Sequence, residues 1–275
     1  MAEIPLSTSG KTALEVAREI ASLAGEILAD RFYDVKEISY KGVGDIVTDV
    51  DRESEALMKS VLDKEYPDMG FLGEESLGDR ADSGYVWIVD PVDGTRNYAA
   101  GIPVVSLVIG LALDGEVVVG VNYDPLLKEM FYAERGKGAF LNDKPIRVSE
   151  KATFVESSLA ADISYGREGT LYSLDVIKKL WPDLWSVRIL GSAALGLSYA
   201  AAGRVDLYFH HRLAPWDQVA GMLLVEEAGG IVTDRSGKRA GLYSDGVVAS
   251  NRALNAEFLR KTEGMDWRIP TERAV

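Results

Sequence analysis

Two aspartates lie three residues apart at the end of an apolar run, in the segment WIVDPVDGTRNY at 87–98. Pro91 predicts that the strand stops at Asp90, with Asp93 in the turn that follows. Two carboxylates this close repel each other unless a proton or a cation lies between them. Clusters rich in oxygen ligands favour Mg²⁺. The spacing therefore points to a divalent-metal site.

The same spacing also arises by chance, with Asp93 closing an Asx turn and Asp90 in water. Carboxylates in comparable settings elsewhere favour the metal site. The motif GEES places Glu74 at the end of a predicted strand, and the motif PWD places Asp217 at the start of a predicted helix. Asp217 could instead be an N-cap. If one carboxylate from each half of the chain converges on Asp90, a two-metal site results.

A further group of acids lies in DIVTDVD at 45–51. This stretch could be a solvated acidic loop in which Asp51 caps the following helix. Thr95 could be an ordinary turn residue. If the Thr95 hydroxyl lies beside Asp51, however, the pair could orient and deprotonate a water molecule.

Two segments could contact anions or hydroxyl groups. GSAAL at 191–195 opens a predicted helix, and helix N-terminal amides bind such groups, although a tightly packed helix start is favoured for this motif alone. The two histidines of the chain, His210 and His211, precede Arg212. Without Cys or further His a zinc site cannot be completed. We therefore expect a polar patch between lobes or a substrate contact there.

The composition excludes several classes of function. The 275 residues are 47% hydrophobic, which is ordinary for a globular protein, and carry a formal net charge of -13. Such an acidic chain predicts no nucleic-acid partner and no anionic membrane partner. An anionic substrate would need a bound cation to reverse the local charge. The lack of Cys excludes disulfides. With no signal peptide and no membrane span expected, we predict a cytoplasmic protein.

The elements that must position these residues follow from periodicity. Helices are predicted from Thr12 and after DIVTDVD, with a hairpin or flexible loop before the second helix. A strand-rich section follows, in which LVIGLAL pairs with VVVGVNY, and after about residue 150 helices and strands alternate. We expect an α/β protein of two closely packed lobes, 1–150 and 151–275, with the boundary near 149–153.

Four motifs, in this order, resemble the inositol monophosphatase family of Mg²⁺-dependent, lithium-sensitive phosphatases: DIVTDVD, GEES, WIVDPVDGTRNY and PWDQVAG. GKGAFLND and EAGG are also similar, and the resemblance covers roughly residues 12–260. It implies a two-lobed, layered α/β/α/β/α sandwich of the sugar-phosphatase type. The N-terminal lobe would carry most metal ligands, and the C-terminal lobe the substrate segment and Asp217. The implied activity is phosphomonoester hydrolysis of a small phosphorylated polyol or sugar, with inositol 1-phosphate as the first choice.

The resemblance also implies roles for individual residues. The metal ligands would be Glu74, Asp90, the Val92 carbonyl, Asp93 and Asp217, holding two Mg²⁺ ions and a looser third beside Glu74. Thr95 and Asp51 would activate water, with Glu74 and Asp90 completing the catalytic set. Substrate contacts would come from Asp93, Gly94, Thr95, Gly191, Ser192, Ala193, His210 and Asp217. Lys41 matches a lysine of a mobile loop, which Asp45 would steady.

One departure leaves the substrate open. The family's animal enzymes have a glutamate, seven residues before the aspartate of the PWD motif, that contacts inositol hydroxyls. His210 stands at that position here. Fructose 1,6-bisphosphate, histidinol phosphate and a nucleotide bisphosphate therefore remain alternatives, as does a catalytically silent metal- or phosphate-binding regulator. A homodimer is the default expectation from the family.

Overall fold

The computed structural model describes residues 4–42, 45–78, 82–163 and 166–269, and it describes no side chain for residues 41, 42 and 45. The helices are α1 Ala13–Asp30, α2 Asp49–Glu65, α3 Thr95–Ala100, α4 Arg167–Leu180, α5 Ala193–Ala201, α6 Pro215–Glu227 and α7 Arg252–Lys261. The strands are β1 Ile38–Gly42, β2 Asp45–Thr48, β3 Gly70–Gly73, β4 Leu77–Gly78, β5 Tyr85–Asp93, β6 Ser106–Leu113, β7 Glu116–Asp124, β8 Glu129–Glu134, β9 Ala139–Leu141, β10 Lys144–Pro145, β11 Ser158–Ala161, β12 Ser186–Ile189, β13 Leu207–His210, β14 Ile231–Asp234 and β15 Val247–Ser250.

Two sheets form the frame of the molecule. The larger has the order β10-β9-β8-β7-β6-β5-β3-β4, and the smaller has the order β12-β11-β13-β15-β14. Strands β1 and β2 pair separately as an antiparallel hairpin. The predicted pairing of LVIGLAL with VVVGVNY is confirmed as the β6–β7 ladder.

Helices fill the space on both faces of the sheets. Alternate side chains of β5 leave the large sheet on opposite faces, as the strand period requires. Trp87 joins the cluster formed with α1 and α2, whereas Ile88 joins the cluster formed with α5 and α6. The same α5–α6 cluster includes Tyr208 of the small sheet, whose other face packs against α4 and α7. The order of layers is therefore α/β/α/β/α, as predicted.

Helix α6 approaches the large sheet so closely that two strand positions have no room for a side chain. A Cβ atom added at Gly110 would lie 2.3 Å from a methyl carbon of Val219. One added at Gly120 would lie 2.7 Å from the Cα atom of Ala220. Glycine in a strand interior often marks such close approach. The contact fixes the N-terminal half of α6 against β6 and β7.

The central helices join the two halves of the chain into one core. Buried residues from β5 and β6 of the first half and from α5, α6 and β13 of the second half belong to a single cluster. The predicted boundary near residue 150 falls between β10 and β11. The division into lobes 1–150 and 151–275 stays a prediction.

The strand that carries Asp90 does not end there, so this prediction was wrong. Strand β5 continues to Asp93 through a shift of register, with Asp90 opposite Val108 and Asp93 opposite Ser106. Three residues of β5 thus span the distance of two on β6, which is a β-bulge. Pro91 lies in the bulge, where no ladder hydrogen bond is required of it. A β-bulge therefore replaces the predicted strand end and turn.

Candidate active site

Three carboxylates from two distant parts of the chain meet at the edge of the large sheet. Asp90, Asp93 and Asp217 each offer an oxygen atom, and these atoms all lie within 4.8 Å of one another. Asp90 and Asp93 are buried, whereas Asp217 is partly exposed. Asp217 therefore lies beside Asp90, as the PWD motif predicts, and Glu74 lies on the wall of the same cavity.

The β-bulge brings two of these carboxylates together. Residues three apart in a regular strand point to opposite faces, because successive side chains alternate. The extra residue in β5 breaks this alternation between Asp90 and Asp93. Asp90 Oδ1 also accepts a hydrogen bond of 2.9 Å from the backbone N–H of Val92. The bulge, rather than a turn after the strand, creates the spacing of the site.

The carboxylate of Asp93 lies at the N-terminus of α5. Its carboxylate accepts hydrogen bonds from the amides of Ala193, at 3.1 Å, and Ala194, at 3.0 Å. The hydroxyls of Ser192 and, at 3.1 Å, Ser106 donate to its Oδ2. A carboxylate is stabilised there by the free amides and the helix dipole. The segment GSAAL thus binds an anion that the protein itself supplies, which neither sequence interpretation of this motif described.

Asp217 is the third residue of α6, not its N-cap. The N-cap is Ala214, and Pro215 is the first helical residue. Asp217 Oδ2 accepts a hydrogen bond of 2.7 Å from the Ala214 N–H. The N-cap alternative was therefore wrong in position, although the carboxylate does cap a backbone donor.

Thr95 and Asp51 are in direct contact. Thr95 Oγ1 lies 3.1 Å from Asp51 Oδ1 and 2.9 Å from the carbonyl oxygen of Val92. The other oxygen of Asp51 accepts hydrogen bonds from Thr48, including one of 3.0 Å from its N–H. Asp51 thus caps α2 with one oxygen and contacts Thr95 with the other, so the two sequence interpretations of Asp51 are compatible.

Gly94 gives the chain the conformation that starts α3 at Thr95. Its φ is +92°, and a Cβ atom would lie 3.0 Å from the carbonyl oxygens of Val104 and Gly191. Only glycine adopts this backbone conformation in so narrow a space without strain. The short helix α3 was not predicted, because six residues give too little periodicity.

Sequence reasoning missed Glu55, a buried acid of α2. Its carboxylate accepts hydrogen bonds of 2.8 Å from the amides of both Glu75 and Ser76. It therefore holds the turn that carries Glu74. Glu55 follows Asp51 by four residues, so both lie on one face of the helix. That four-residue spacing, on a helix with an apolar face, is the sequence feature from which a role for Glu55 could have been predicted.

Asp162, directly after β11, was also missed. It accepts hydrogen bonds from the amides of Leu190, at 2.9 Å, and Gly191, and from the hydroxyl of Tyr208, at 2.9 Å. Burial raises its pKa to about 6. These bonds hold the segment that leads into α5 and hence the donors to Asp93. A carboxylate at a strand end is the signal that identified Asp90, and it applies here too.

Burial raises the pKa of several of these carboxyl groups. The pKa of Asp90 lies well above its ordinary value because of burial first, and then because of the charges of Glu74 and its other acidic neighbours. Burial raises the pKa of Asp93 to about 7 and that of Asp51 to about 6. Only protons or cations relieve the repulsion in such a cluster. The site is thus suited to a divalent cation.

A cavity of about 740 Å³ opens onto the carboxylates. Its wall includes Glu74, Asp90, Val92, Asp93, Gly94, Thr95, Gly191, Ser192, Ala193, His210 and Asp217. Asp51 lies behind Thr95 and is not one of the described residues that form the cavity wall. The side chains of Lys41 and Asp45 lie outside the described part of the chain. The proposed substrate roles of the residues on the wall stay predictions.

His210 is buried at the end of β13, with 8% of its surface exposed. Its Nδ1 accepts a hydrogen bond of 3.0 Å from the backbone N–H of Arg212. Burial lowers the pKa of His210 to about 3, so its ring is neutral.

Within the ranges covered by the structure, no helix has the length and apolar character that crossing a membrane requires.

Comparison with known proteins agrees with this geometry. The model of the Inositol monophosphatase family matches residues 11–265. Inositol monophosphatase 2 of Solanum lycopersicum is 40% identical over 256 residues, which cover 90% of this chain and 96% of that protein. A protein of Thermotoga maritima named Fructose-1,6-bisphosphatase/inositol-1-monophosphatase is 37% identical over 248 residues, covering 90% of this chain and 94% of that protein.

A solved structure extends the similarity to three dimensions. The extragenic suppressor protein suhB of Bartonella henselae superposes with a TM-score of 0.87 at 36% identity, covering 91% of this chain and 98% of that protein. The match thus spans both sheets and all three helical layers. The chain belongs to the inositol monophosphatase family, as its motifs predict.

Proposed function

We propose that this protein is a Mg²⁺-dependent phosphomonoesterase for a small phosphorylated polyol or sugar, with myo-inositol 1-phosphate as the first substrate to test. The observation that carries the proposal is the convergence of Asp90, Asp93 and Asp217 on one cavity that also contains Thr95. The relatives of Solanum lycopersicum and Thermotoga maritima carry names that include inositol monophosphatase.

The ligand set suits Mg²⁺. The side chains that converge are carboxylates, and hard oxygen ligands are those that Mg²⁺ prefers. Burial first, and then the neighbouring negative charges, raise the pKa values of Asp90 and Asp93, and a cation would neutralise those charges. Glu74, Asp90 and the Val92 carbonyl would hold one ion, and Asp90, Asp93 and Asp217 a second, with a third held loosely beside Glu74. Bound Mg²⁺ supplies positive charge for the phosphoryl oxygens and makes water more acidic.

Thr95 and Asp51 would prepare water for attack on phosphorus. When the Thr95 hydroxyl donates its hydrogen bond to Asp51 Oδ1, a lone pair of Thr95 Oγ1 is available to accept a hydrogen bond from water. The bonds from Thr48 fix the Asp51 carboxylate, so this acceptor is held beside the Thr95 hydroxyl. A pKa near 6 suits Asp51 to accept a proton near neutral pH. Glu74 and Asp90 complete the proposed catalytic set.

The substrate phosphate would lie against the amides of Gly94 and Thr95. Alcohol hydroxyls of the substrate would contact the segment Gly191, Ser192 and Ala193, together with Asp93, Asp217 and His210. Asp162 and Asn97 support that segment, since Asn97 Nδ2 donates to the Leu190 carbonyl at 2.9 Å. The protein therefore holds the N-terminal end of this segment before substrate binds.

Phosphate release measured across a panel of phosphorylated metabolites, with Mg²⁺ and with a chelator, tests the proposal. It predicts Mg²⁺-dependent release from at least one polyol or sugar phosphate. A silent regulator would bind Mg²⁺ or phosphate without releasing any. The proposal also includes a cytoplasmic homodimer, which light scattering on the purified protein and fractionation of cells would test.

A further inference from the structure

We infer that Gln218 is a positioning residue: it joins the first turn of α6 to the segment 242–245, and this contact holds Asp217 where the second Mg²⁺ is proposed to bind. The inference rests on the proposed function, in which Asp217 is a ligand of that ion. Gln218 follows Asp217 directly in the chain, but it is not one of the described residues that form the cavity wall. It therefore acts on the site through Asp217 and not through substrate.

Asp217 has to be held in place because the other carboxylates of the cluster repel it. One of its oxygens lies within 4.8 Å of oxygens of Asp90 and Asp93. Asp90 and Asp93 are buried, whereas Asp217 is partly exposed. Like charges this close repel each other when no cation lies between them. In the metal-free protein, repulsion therefore favours movement of Asp217 out of the cluster toward solvent.

The close packing of α6 on the large sheet begins only after Asp217. Val219 and Ala220 are the residues that lie against Gly110 and Gly120 of the sheet. The amides in the first turn of a helix have no intrahelical acceptors, so this turn is held less firmly than those that follow. The position of Asp217 therefore depends on additional contacts of the first turn.

The side chain of Gln218 makes such contacts. Its Nε2 donates a hydrogen bond of 2.8 Å to the carbonyl oxygen of Leu242 and one of 3.1 Å to that of Ser244. Gln218 is fully buried, so water cannot readily replace these bonds. Both protons of the amide are thus used to hold the first turn of α6 against the segment 242–245.

The same segment also holds the chain before Asp217. The N–H of Leu213 donates a hydrogen bond of 2.5 Å to the carbonyl oxygen of Asp245. The next residue, Ala214, donates its N–H to Asp217 Oδ2 at 2.7 Å. The carboxylate is therefore directed by a backbone group whose neighbour is bonded to the segment. Asp217 lies between two positions that the segment 242–245 holds.

The segment 242–245 is itself anchored. The N–H of Gly241 donates a hydrogen bond of 3.0 Å to Ser244 Oγ. The carboxylate of Asp245 lies 3.5 Å from the guanidinium of Arg235, which is buried directly after β14. The segment is thus fixed to the small sheet and can oppose movement of α6. A ligand held in position before the ion arrives costs less ordering when the ion binds.

Gln218→Met tests this role. Methionine is similar in length and volume, and Gln218 Oε1 has no partner among the described residues, so the substitution removes only the two donated bonds. We expect the Mg²⁺ dissociation constant, measured by calorimetry without substrate, to rise about tenfold, as for other groups that orient metal ligands. At saturating Mg²⁺, kcat should stay within about twofold of wild type, because the bound ions restore the position of Asp217.

Ser244→Ala alters the segment without changing a side chain of α6. It removes the acceptor of the Gly241 N–H and should raise the Mg²⁺ dissociation constant about twofold. If both substitutions act through the segment 242–245, their effects are not additive. In the background of Gln218→Met, Ser244→Ala should therefore raise the dissociation constant less than it does in wild type.

Ile20→Val is the control for a loss of stability alone. Ile20 is buried in the cluster formed with α1 and α2, so its truncation should lower the melting temperature and leave the Mg²⁺ dissociation constant unchanged. A folded Gln218→Met protein with lowered melting temperature and wild-type Mg²⁺ affinity would overturn the inference, as would equal weakening of Mg²⁺ binding in Ile20→Val. If Gln218→Met does not fold, unchanged affinity in Ser244→Ala overturns it. A wild-type protein that binds no Mg²⁺ would contradict the proposed function itself.

Discussion

The hydroxyl of Thr95 lies 3.1 Å from Asp51 Oδ1, while Asp51 Oδ2 holds Thr48 at the start of α2. A residue at the beginning of one helix is thereby aligned by a carboxylate at the beginning of another. The capping bonds fix Asp51, so the protein itself holds an acceptor beside the Thr95 hydroxyl. The proposed activation of water depends on this contact.

Thr95→Ala should lower kcat by about 100-fold or more, because general acid–base assistance contributes rate factors of about 10² to 10⁴. The Mg²⁺ dissociation constant should change little, since Thr95 is proposed to direct water and not to bind metal. Thr95→Ser keeps the hydroxyl and should recover most of the rate. Steady-state kinetics and calorimetric Mg²⁺ titration measure the two quantities; normal turnover of the alanine variant would reduce Thr95 to a structural residue.

Glu55→Gln should raise the Mg²⁺ concentration that activity requires, in addition to any effect on the rate of the chemical step. The amide of glutamine offers one acceptor oxygen, so one of the N–H groups of Glu75 and Ser76 would lose its partner and the turn bearing Glu74 would loosen. We expect the Mg²⁺ concentration for half-maximal activity to rise several-fold, with a loss of about 1–3 kcal/mol in unfolding free energy. Glu53→Gln, exposed on the same helix, is the control and should change neither.

Metal-free protein should show a pH dependence of stability that Asp93 causes. The pKa of Asp93 is about 7 in the folded protein, above its ordinary value of 3.8. The folded state therefore binds more protons than the unfolded state between these values, and this group's contribution to stability is lost as pH rises from about 4 to about 7. Asp93→Asn cannot titrate, so its unfolding free energy relative to wild type should rise across this window.

Denaturant unfolding of both proteins in a chelator, at about pH 4 and about pH 8, measures the difference. The unfolding free energy of the variant relative to wild type should grow between these two pH values by an amount on the order of a few kcal/mol. A saturating concentration of Mg²⁺ should reverse the pH trend in the stability of wild type. The asparagine can also change stability through altered contacts with Ser192 and Ala194, but that offset does not vary with pH. A difference that is the same at both pH values would show that Asp93 does not titrate there.

Much of the site follows from sequence because its residues lie at the ends of strongly patterned elements. Asp90 follows a continuous apolar strand, and Asp217 starts an apolar helix, so each can be placed without tertiary information. The α/β class follows likewise from the change from strand-rich to alternating pattern, whereas the α/β/α/β/α layering is implied by the resemblance of the motifs to the family. What could not be predicted is the β-bulge: Pro91 terminates a regular strand, but a bulge tolerates it.

The hydrogen-bond partners of Asp93 could not be predicted from the sequence either, for a different reason. Ser106, Ser192 and Ala194 come from segments far apart in the chain, and nothing in the residues near Asp93 indicates that a helix N-terminus will face it. Asp162 is different, since a carboxylate following an apolar strand is a local pattern. It was missed because β11 is short and its small residues give weak strand periodicity.

Asp90→Asn tests the proposed metal site most directly, with phosphate release and Mg²⁺ binding measured on the same variant. The account predicts loss of turnover by about 10³-fold or more, because Asp90 would contact both ions, and Mg²⁺ binding too weak to titrate. The metal-free variant should unfold at the wild-type temperature or above it, since burial and the acidic neighbours of Asp90 disfavour a charge there and asparagine carries none. Asp63→Asn, on the exposed side of α2, should behave as wild type. A folded Asp90→Asn protein with substantial Mg²⁺-dependent turnover would contradict the account.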